Sequence, residues 1–378
     1  MIPLGTRPWL RHDLFVVIRP PRRHRLAPAV AVALAVAWTW GCCTFSSPRY
    51  SGPITDHYDG ETFHNQVPVR QRDVGDFLSW VANRKPGPWA PWTETPPGPA
   101  PPRRVGSDAL RVTFINHSTV LVQVDGLNIL TDPIWSMRAG PLSWAGSKRK
   151  RAPGIRFEDL PPIDVVLISH NHYDHLDIPT LERLAKRDHP RFLSGLGNAA
   201  VLEAEGIEGA TELDWWEVEP VGHDVLVTAV PAQHFSMRGL CDHDKTLWVG
   251  FVIESSGGPI YFAGDTAWGP HFAQVRDEFG PMRLALLPIG AFEPRWIMAP
   301  VHISPEQAVQ AHHLLGAALS VGIHWGTFPQ ADDGQQGPLI HLAQALRDAG
   351  DPAPAFRVLG FGEGMDVPRL KGYRPATD

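Results

Sequence analysis

An α/β fold, with sheets covered by helices in one large domain, is what this sequence predicts, on three observations. Short apolar runs are bounded by turn residues, helix-period segments lie between them, and metal-ligand-type side chains recur just after the apolar runs. From Leu110 onward the runs RVTFINHSTVLVQVDG, LNILTD, VVLISH, RFLSG, DVLVTAV, LWVGFVIES, PIYFAGD, LALLPIG and LSVGIHWG read as strands. PTLERLAKR reads as a helix between two of them. Another helix opens at Ser304-Pro305-Glu306-Gln307, where Ser at the N-cap, Pro at the first helical position and Gln at the third precede AVQAHHLL.

Ser47 to Arg104 is rich in Pro, Gly and Trp, as in KPGPWAPWTETPPGPAPPRR, with few periodic apolar stretches. Such a segment is expected to wrap or link and to form no core of its own. Before it, Arg-rich residues 7–25 precede the apolar run LAPAVAVALAVAWTW from Leu26 to Trp40, which is short for a bilayer span and suits an export signal. Gly41 directly before Cys42 resembles a lipoprotein processing site and makes Cys42 the lipidation candidate; a plain anchor helix is the alternative. The expected division is 1–41 signal or membrane anchor, 42–109 Pro-rich extension and 110–378 the α/β domain, with the protein exported and membrane-associated.

The formal net charge of −6 conceals a split, because residues 1–41 carry six Arg and one Asp and leave the remainder near −11. A body that acidic repels polyanions, so nucleic acid is set aside as a partner. Eighteen His against three Cys favour imidazole and carboxylate chemistry over thiolate metal sites or a disulfide framework. Cys42 and Cys43 are adjacent, and Cys241 stands alone. The basic run Lys148-Arg149-Lys150-Arg151 is expected on a solvated loop, with anionic headgroups as the alternative partner.

Chemistry concentrates in VVLISHNHYDH, Val165 to His175, where an apolar run ends in a loop holding three imidazoles and a carboxylate. Zinc accepts nitrogen and oxygen ligands of this kind. His234, Asp265 and His324 each follow another apolar run, and strand ends at one sheet edge converge on one mouth. The assignment is His170, His172 and His234 on one ion, Asp174, His175 and His324 on the other, and Asp265 bridging. Two Zn2+ are expected, and iron or manganese suit the same donor set. A metal pair about 3.5–4 Å apart activates water for hydrolysis without a nucleophilic side chain, and the sequence carries no G-x-S-x-G elbow, Cys-based signature or P-loop. Asp174 and Asp265 are therefore the candidate catalytic carboxylates.

His-x-His-x-Asp-His at 170–175, a later His, Gly-Asp-Thr at 264–266 and a final His resemble the metallo-β-lactamase superfamily. More specifically, TDPIWS (131–136), LPPIDVVLISHNHYDHLD (160–177), ELDWWE (212–217), GHD (222–224), FAGDT (262–266), PIGAFEPRW (288–296) and IHWGTF (323–328) resemble the N-acyl-phosphatidylethanolamine-hydrolysing phospholipase D family, over about Leu110 to Gly360. The resemblance implies a four-layer αββα metallo-β-lactamase sandwich and cleavage of N-acylphosphatidylethanolamine to N-acylethanolamine and phosphatidic acid. It also implies that Tyr173 and His302 lie near the substrate phosphate. Two positions depart from the family pattern: Val301 replaces a Gln before His302, and Asn116-His117-Ser118 replaces Gly-His-Ala/Ser, with His117 expected as a buried structural residue.

Trp135, Trp144 and the pair Trp215-Trp216 can line a lipid-facing groove, although core packing is the expectation for the pair. The partners expected are a phospholipid substrate, a membrane surface and a second copy in a homodimer. Two other readings stand beside the phospholipase: a hydrolase of a lactone, cyclic phosphodiester or small phosphate ester on the same scaffold, and a metal-stabilised lipid-binding envelope lipoprotein.

Overall fold

A computed structural model describes residues 43, 45–69, 74–222, 224–350 and 355–374. Residues 1–41, expected as a signal or membrane anchor, the lipidation candidate Cys42 and His223 of the GHD segment lie outside the described residues.

Two seven-stranded sheets carry the fold. In chain order the first contains β1 (Leu110–Asn116), β2 (Thr119–Val124), β3 (Leu127–Thr131), β6 (Val165–Ile168), β7 (Arg191–Gly195), β8 (Thr211–Leu213) and β16 (Gly364–Asp366). The second contains β9 (Val218–Pro220), β10 (Leu226–Pro231), β11 (Val249–Glu254), β12 (Ile260–Phe262), β13 (Leu284–Pro288), β14 (Ser320–Ile323) and β15 (Phe356–Arg357). Each sheet is half antiparallel meander and half parallel: β1, β2 and β3 pair antiparallel before β3, β6, β7 and β8 run parallel. The second sheet repeats that scheme, with β9 to β12 antiparallel and β12 to β15 parallel. A short hairpin, β4 (Arg138–Ala139) with β5 (Ser147–Lys148), stands apart.

Alternation along the strands produces the layers. Val165 and Leu167 of β6 join the core between the sheets, together with Phe251 and Ile253 of β11. Val166 and Ile168 face the other way, onto Leu181 and Leu184 of the helix Ile178–Asp188. That helix is the expected PTLERLAKR element; it stops at His189, whose φ of 50° closes it before Pro190. On the far side, the helices His271–Phe279, Pro305–Leu314 and Gly337–Asp348 contribute Phe272, Ala308, Ala311 and Leu342 to the core. The order is helix, sheet, sheet, helix, as the family resemblance implies. The predicted capping box is present: Ser304 Oγ accepts from the Gln307 N–H and Gln307 Oε1 from the Ser304 N–H.

The Pro-rich extension wraps the domain and adds to its core. Tyr58 and Phe63 are bridged to each other and fully buried, and burial of such a ring is worth about 1.5–3 kcal/mol. Within the extension lies a helix, Val74–Asn83, which the sequence did not announce. Further on, Gly87, Thr93 and Gly98 donate backbone bonds to Asp332, Lys150 and Gly154.

Two cysteine and basic-run expectations are corrected. Cys241 does not stand alone: it is disulfide-bonded to Cys43, across a sequence separation of 198 residues. The basic run is only partly solvated: Lys148 is exposed, but Arg149 and Arg151 are buried, with their guanidinium groups over the rings of Phe328 and Phe361. Arg149 also donates to the carbonyls of Ser136 and Ile134. A planar delocalised cation loses less on leaving water than an ammonium does, which suits Arg to such a place.

Candidate metal centre

The parallel pairing of β3 with β6 lays Asp132, the first residue after β3, beside Ser169, the first after β6. Asp132 is fully buried and accepts from Ser169 N (2.8 Å), Ser169 Oγ (2.6 Å) and His175 Nδ1 (2.6 Å). With its proton given to Asp132, Ser169 Oγ accepts from His170 Nδ1 (2.9 Å). Both imidazoles are thereby held with Nε2 directed at the site, in the carboxylate–histidine arrangement common behind metal ligands. His234 is fixed in the same way by donating from Nδ1 to the Val301 carbonyl (2.8 Å). Position 301 therefore orients a candidate ligand through its backbone, whatever its side chain. Asp132 escaped the sequence reading, although TDPIWS begins one residue before it.

Two groups of donors face each other. In one, His170 Nε2 lies 2.8 Å and His234 Nε2 lies 3.4 Å from His172 Nδ1, spacings near the roughly 3.3 Å between tetrahedral ligands at about 2.0–2.1 Å. In the other, Asp174 Oδ2 lies 3.1 Å from His175 Nε2, 3.5 Å from His324 Nε2 and 2.8 Å from His117 Nε2. Gln330 Nε2 donates to the same oxygen (2.6 Å). Asp265 stands between the groups: its Oδ2 is 3.0 Å from His324 Nε2, 3.2 Å from His175 Nε2 and 4.0 Å from His234 Nε2. All seven residues singled out in the sequence meet here. His117, expected as structural, joins the second group. The β1–β2 turn brings it there, with φ of 48°, and its carbonyl accepts from the His324 N–H (2.8 Å).

Backbone strain gathers at this mouth. His117, Asp132 and His324 all have positive φ, a conformation that costs a residue with a side chain about 1–3 kcal/mol and persists where the surroundings impose it. Gly264, beside Asp265, is required for a second reason: with φ of 60°, a Cβ there would meet Ser169 Cβ at 2.6 Å.

Burial dominates the electrostatics. It lowers His117 and His172 to about 3 and His234 to about 4, and carries His170 and His302 well below the usual range. Neutral imidazoles keep the lone pair that a metal needs. His175 and His324 go the other way, because the carboxylates of Asp265 and Asp174 outweigh burial; His324 rises to about 9. Burial opposes ionisation of Asp174 and Asp265 too, yet the neighbouring imidazoles hold both well below the usual carboxylate range. The centre thus draws positive charge to two buried carboxylates. Asp265 Oδ1, His175 Nε2, His302 Nδ1 and His324 Nε2 are buried there without a hydrogen-bond partner. A cation satisfies both demands, and the donor set fits two.

Around the centre, His302 is nearly buried, its Nδ1 3.9 Å from Asp265 Oδ2. Tyr173 is half-buried, beneath the Arg238 guanidinium at 4.0 Å and against Ile134, Ala139 and Phe328. Phe235 packs edge-on against the His172 ring at 4.5 Å. From the extension, Trp89 reaches a recess beside His324, shared with Phe328, Gln330 and Asp333. The tryptophans divide. Trp215 is in the core, and Trp135 is a packed residue donating to the Ile155 carbonyl. Trp144 is 74% exposed, on the loop between β4 and β5, and Trp216 is 38% exposed.

Comparison with known proteins matches a Beta-lactamase superfamily domain to residues 127–325, more than half of the chain. The chain is 40% identical over 230 residues to N-acyl-phosphatidylethanolamine-hydrolyzing phospholipase D 1 of Caenorhabditis elegans, covering 58% of this chain and 65% of that one. It is 36% identical over 222 residues to the mitochondrial N-acyl-phosphatidylethanolamine-hydrolyzing phospholipase D of Saccharomyces cerevisiae, covering 57% and 47%. The match thus spans less than two thirds of either relative. Among solved structures, Igni18, a metallo hydrolase from the archaeon Ignicoccus hospitalis, superposes with a TM-score of 0.52 at 25% identity, over 68% of this chain and 98% of that one. With two facing mixed sheets, helices outside them and a His/Asp cluster at the strand ends, the chain belongs to the metallo-β-lactamase superfamily of metal-dependent hydrolases.

Proposed function

We propose that this protein is a zinc-dependent phosphodiester hydrolase of phospholipase D type, acting on N-acylphosphatidylethanolamine-like phospholipids at a membrane surface. The observation that carries the reading is the paired donor cluster around Asp265 in a chain similar to two phospholipases of that name. His170, His172 and His234 would hold one ion, and Asp174, His175 and His324 the other, with Asp265 facing both. Bound there, the metal pair supplies activated water at neutral pH and positive charge for anionic oxygens.

The chain's own residues do the rest. Asp132 and the Val301 carbonyl keep His175 and His234 from turning away, while Phe235 and Phe328 shield the centre from bulk water. His302 offers its unpartnered Nδ1 to a phosphoryl oxygen. In the reaction, water adds to phosphorus, the bond from phosphorus to the amino-alcohol oxygen breaks, and that oxygen takes up a proton as N-acylethanolamine departs.

Trp144 and Leu142 are exposed on the β4–β5 loop and Met137 just before β4, and Ala139 of β4 shares a small apolar cluster with Tyr173. An indole with an apolar body and a polar tip suits a lipid interface, which supports a membrane as partner. The Cys43–Cys241 disulfide supports an oxidising compartment, hence export. No helix among the described residues is long and apolar enough to cross a membrane. Incubating metal-replete protein with a phospholipid mixture and resolving the products by mass spectrometry tests the reading: N-acylethanolamine with phosphatidic acid is expected. Turnover of a lactone or small phosphate ester with phospholipids untouched would overturn it, an outcome to which Val301, unable to bond a headgroup through its side chain, would lend sense.

A further inference from the structure

One network behind the metal ligands is unexplained by metal binding alone. It starts at the Cys43–Cys241 disulfide, whose Cα atoms are 5.3 Å apart. Next to the bridge, the Cys241 N–H donates to Ser46 Oγ (3.2 Å) and the Ser47 N–H to Asp242 Oδ2 (2.7 Å). Asp242 is fully buried and also accepts from the N–H groups of Arg238 (3.1 Å) and Gly239 (2.8 Å). The two segments then converge on Asn171, the buried residue between His170 and His172. Asn171 Nδ2 donates to Ser47 Oγ (3.0 Å), and its Oδ1 accepts from the Met237 N–H (2.9 Å). One guanidinium closes the grip: an Arg238 nitrogen donates to the carbonyls of Asn171 (2.8 Å) and Leu176 (2.9 Å), which bracket the ligand loop.

We propose that Arg238 and the Cys43–Cys241 disulfide form a redox-sensitive clamp that sets the backbone of the ligand loop, residues 170–176. Arg238 is a positioning residue, since it touches the loop's carbonyls and none of the donor atoms. While the disulfide is intact, Ser46 and Ser47 are held against Cys241 and Asp242 at high effective concentration. Once it is reduced, the nearest backbone tie between the two segments is the Phe63 N–H on the Asp244 carbonyl (2.8 Å), and Ser46 and Ser47 must find the same contacts from the far end of that untethered stretch. Reduction by a cellular dithiol breaks the S–S bond with two electrons and two protons, yielding the Cys43 and Cys241 thiols while the dithiol closes to its own disulfide. A freed Ser47 leaves Asn171 and Asp242, and the loop presenting His170, His172, Asp174 and His175 loosens. Weaker metal binding follows, a consequence that rests on the proposed function's reading of those residues as ligands.

The test is hydrogen–deuterium exchange on the full chain, in the presence and absence of zinc. Oxidised protein is compared with protein reduced by tris(carboxyethyl)phosphine, which ends as phosphine oxide with oxygen from water, and with the Cys43→Ser/Cys241→Ser double variant. In both thiol and serine forms, exchange over 171–176 and 236–244 is expected to rise at least about tenfold while β11 and β13 stay protected, and zinc affinity to fall about 10- to 100-fold. With the disulfide intact, Arg238→Ala should loosen 171–176 and Arg238→Lys should restore part of the protection. Unchanged exchange over 171–176 on reduction, or a uniform rise across both sheets, would overturn the clamp. A local rise in protein that binds zinc in neither form would retain the clamp and remove the metal reading.

Discussion

Replacing Asp265 by Asn preserves the shape of the side chain and removes its charge from the place where the two donor groups meet. Its Oδ2 has two imidazole nitrogens at 3.0 and 3.2 Å, from His324 and His175. Removing one partner of a buried charge pair costs about 3–5 kcal/mol, so the neutral amide weakens the centre by about that much. At about 1.4 kcal/mol per decade, that is roughly a 10²- to 10⁴-fold loss in metal affinity or turnover. Asp265 lies in the loop after β12, outside the apolar core, so the fold is expected to survive. The assay is elemental analysis after dialysis against a weak chelator, alongside turnover and circular dichroism: metal loss and falling turnover with an unchanged spectrum are expected. A variant retaining full metal content and wild-type turnover would refute the placement of Asp265 at the junction.

Other outcomes follow from the same geometry. Purified protein should hold about two zinc ions per chain, and elemental analysis finding one or none would contradict the two-group arrangement. Tyr173→Phe and His302→Ala should each lower phosphodiester turnover about 10- to 100-fold, one charge-assisted hydrogen bond, with metal content unchanged; undiminished turnover would free them of a phosphate role. Trp144→Ser should weaken sedimentation with anionic vesicles while leaving turnover of a soluble substrate intact, and equal vesicle binding would remove the β4–β5 loop from the interface. A pH effect is expected at His57, which stacks on Trp215 and bonds Asp214 and Asp56. Burial lowers this imidazole, but the hydrogen bonds outweigh it and leave its pKa raised. Its stabilising contribution is therefore complete below the unfolded value of about 6.5 and fades as pH climbs through the higher folded one. Proteolysis within residues 45–69 should accelerate over that rise, and His57→Gln should flatten the profile.

Much of the centre was legible because its candidate ligands obey a local rule: each follows a strand with period-2 or continuous apolar character, and four of them crowd one loop. Other parts depend on contacts between residues distant in sequence. His117 looks like any imidazole after a strand until the β1–β2 turn and the hydrogen bond from the His324 N–H set it beside Asp174. Asp132 becomes an orienting carboxylate only through the parallel register of β3 and β6. Cys43 and Cys241 carry no local signal of pairing, and the adjacent Cys42 obscures it. Arg149 and Arg151 read as solvated because charge suggests water; their burial depends on the rings of Phe328 and Phe361, which arrive from far along the chain.

The donors come from both halves of the sandwich: His117 and His170 through His175 extend from the first sheet, and His234, Asp265 and His324 from the second. Ion binding would therefore be a cross-link as well as chemistry, riveting one sheet to the other along an edge where strained turns and buried charge gather. By mass action, a ligand at a thousand times its dissociation constant adds about 4.1 kcal/mol to the folded state, a large share of the roughly 5–15 kcal/mol that holds a typical domain together. Loaded protein should therefore melt at a higher temperature and resist proteolysis longer than the same folded chain kept without metal.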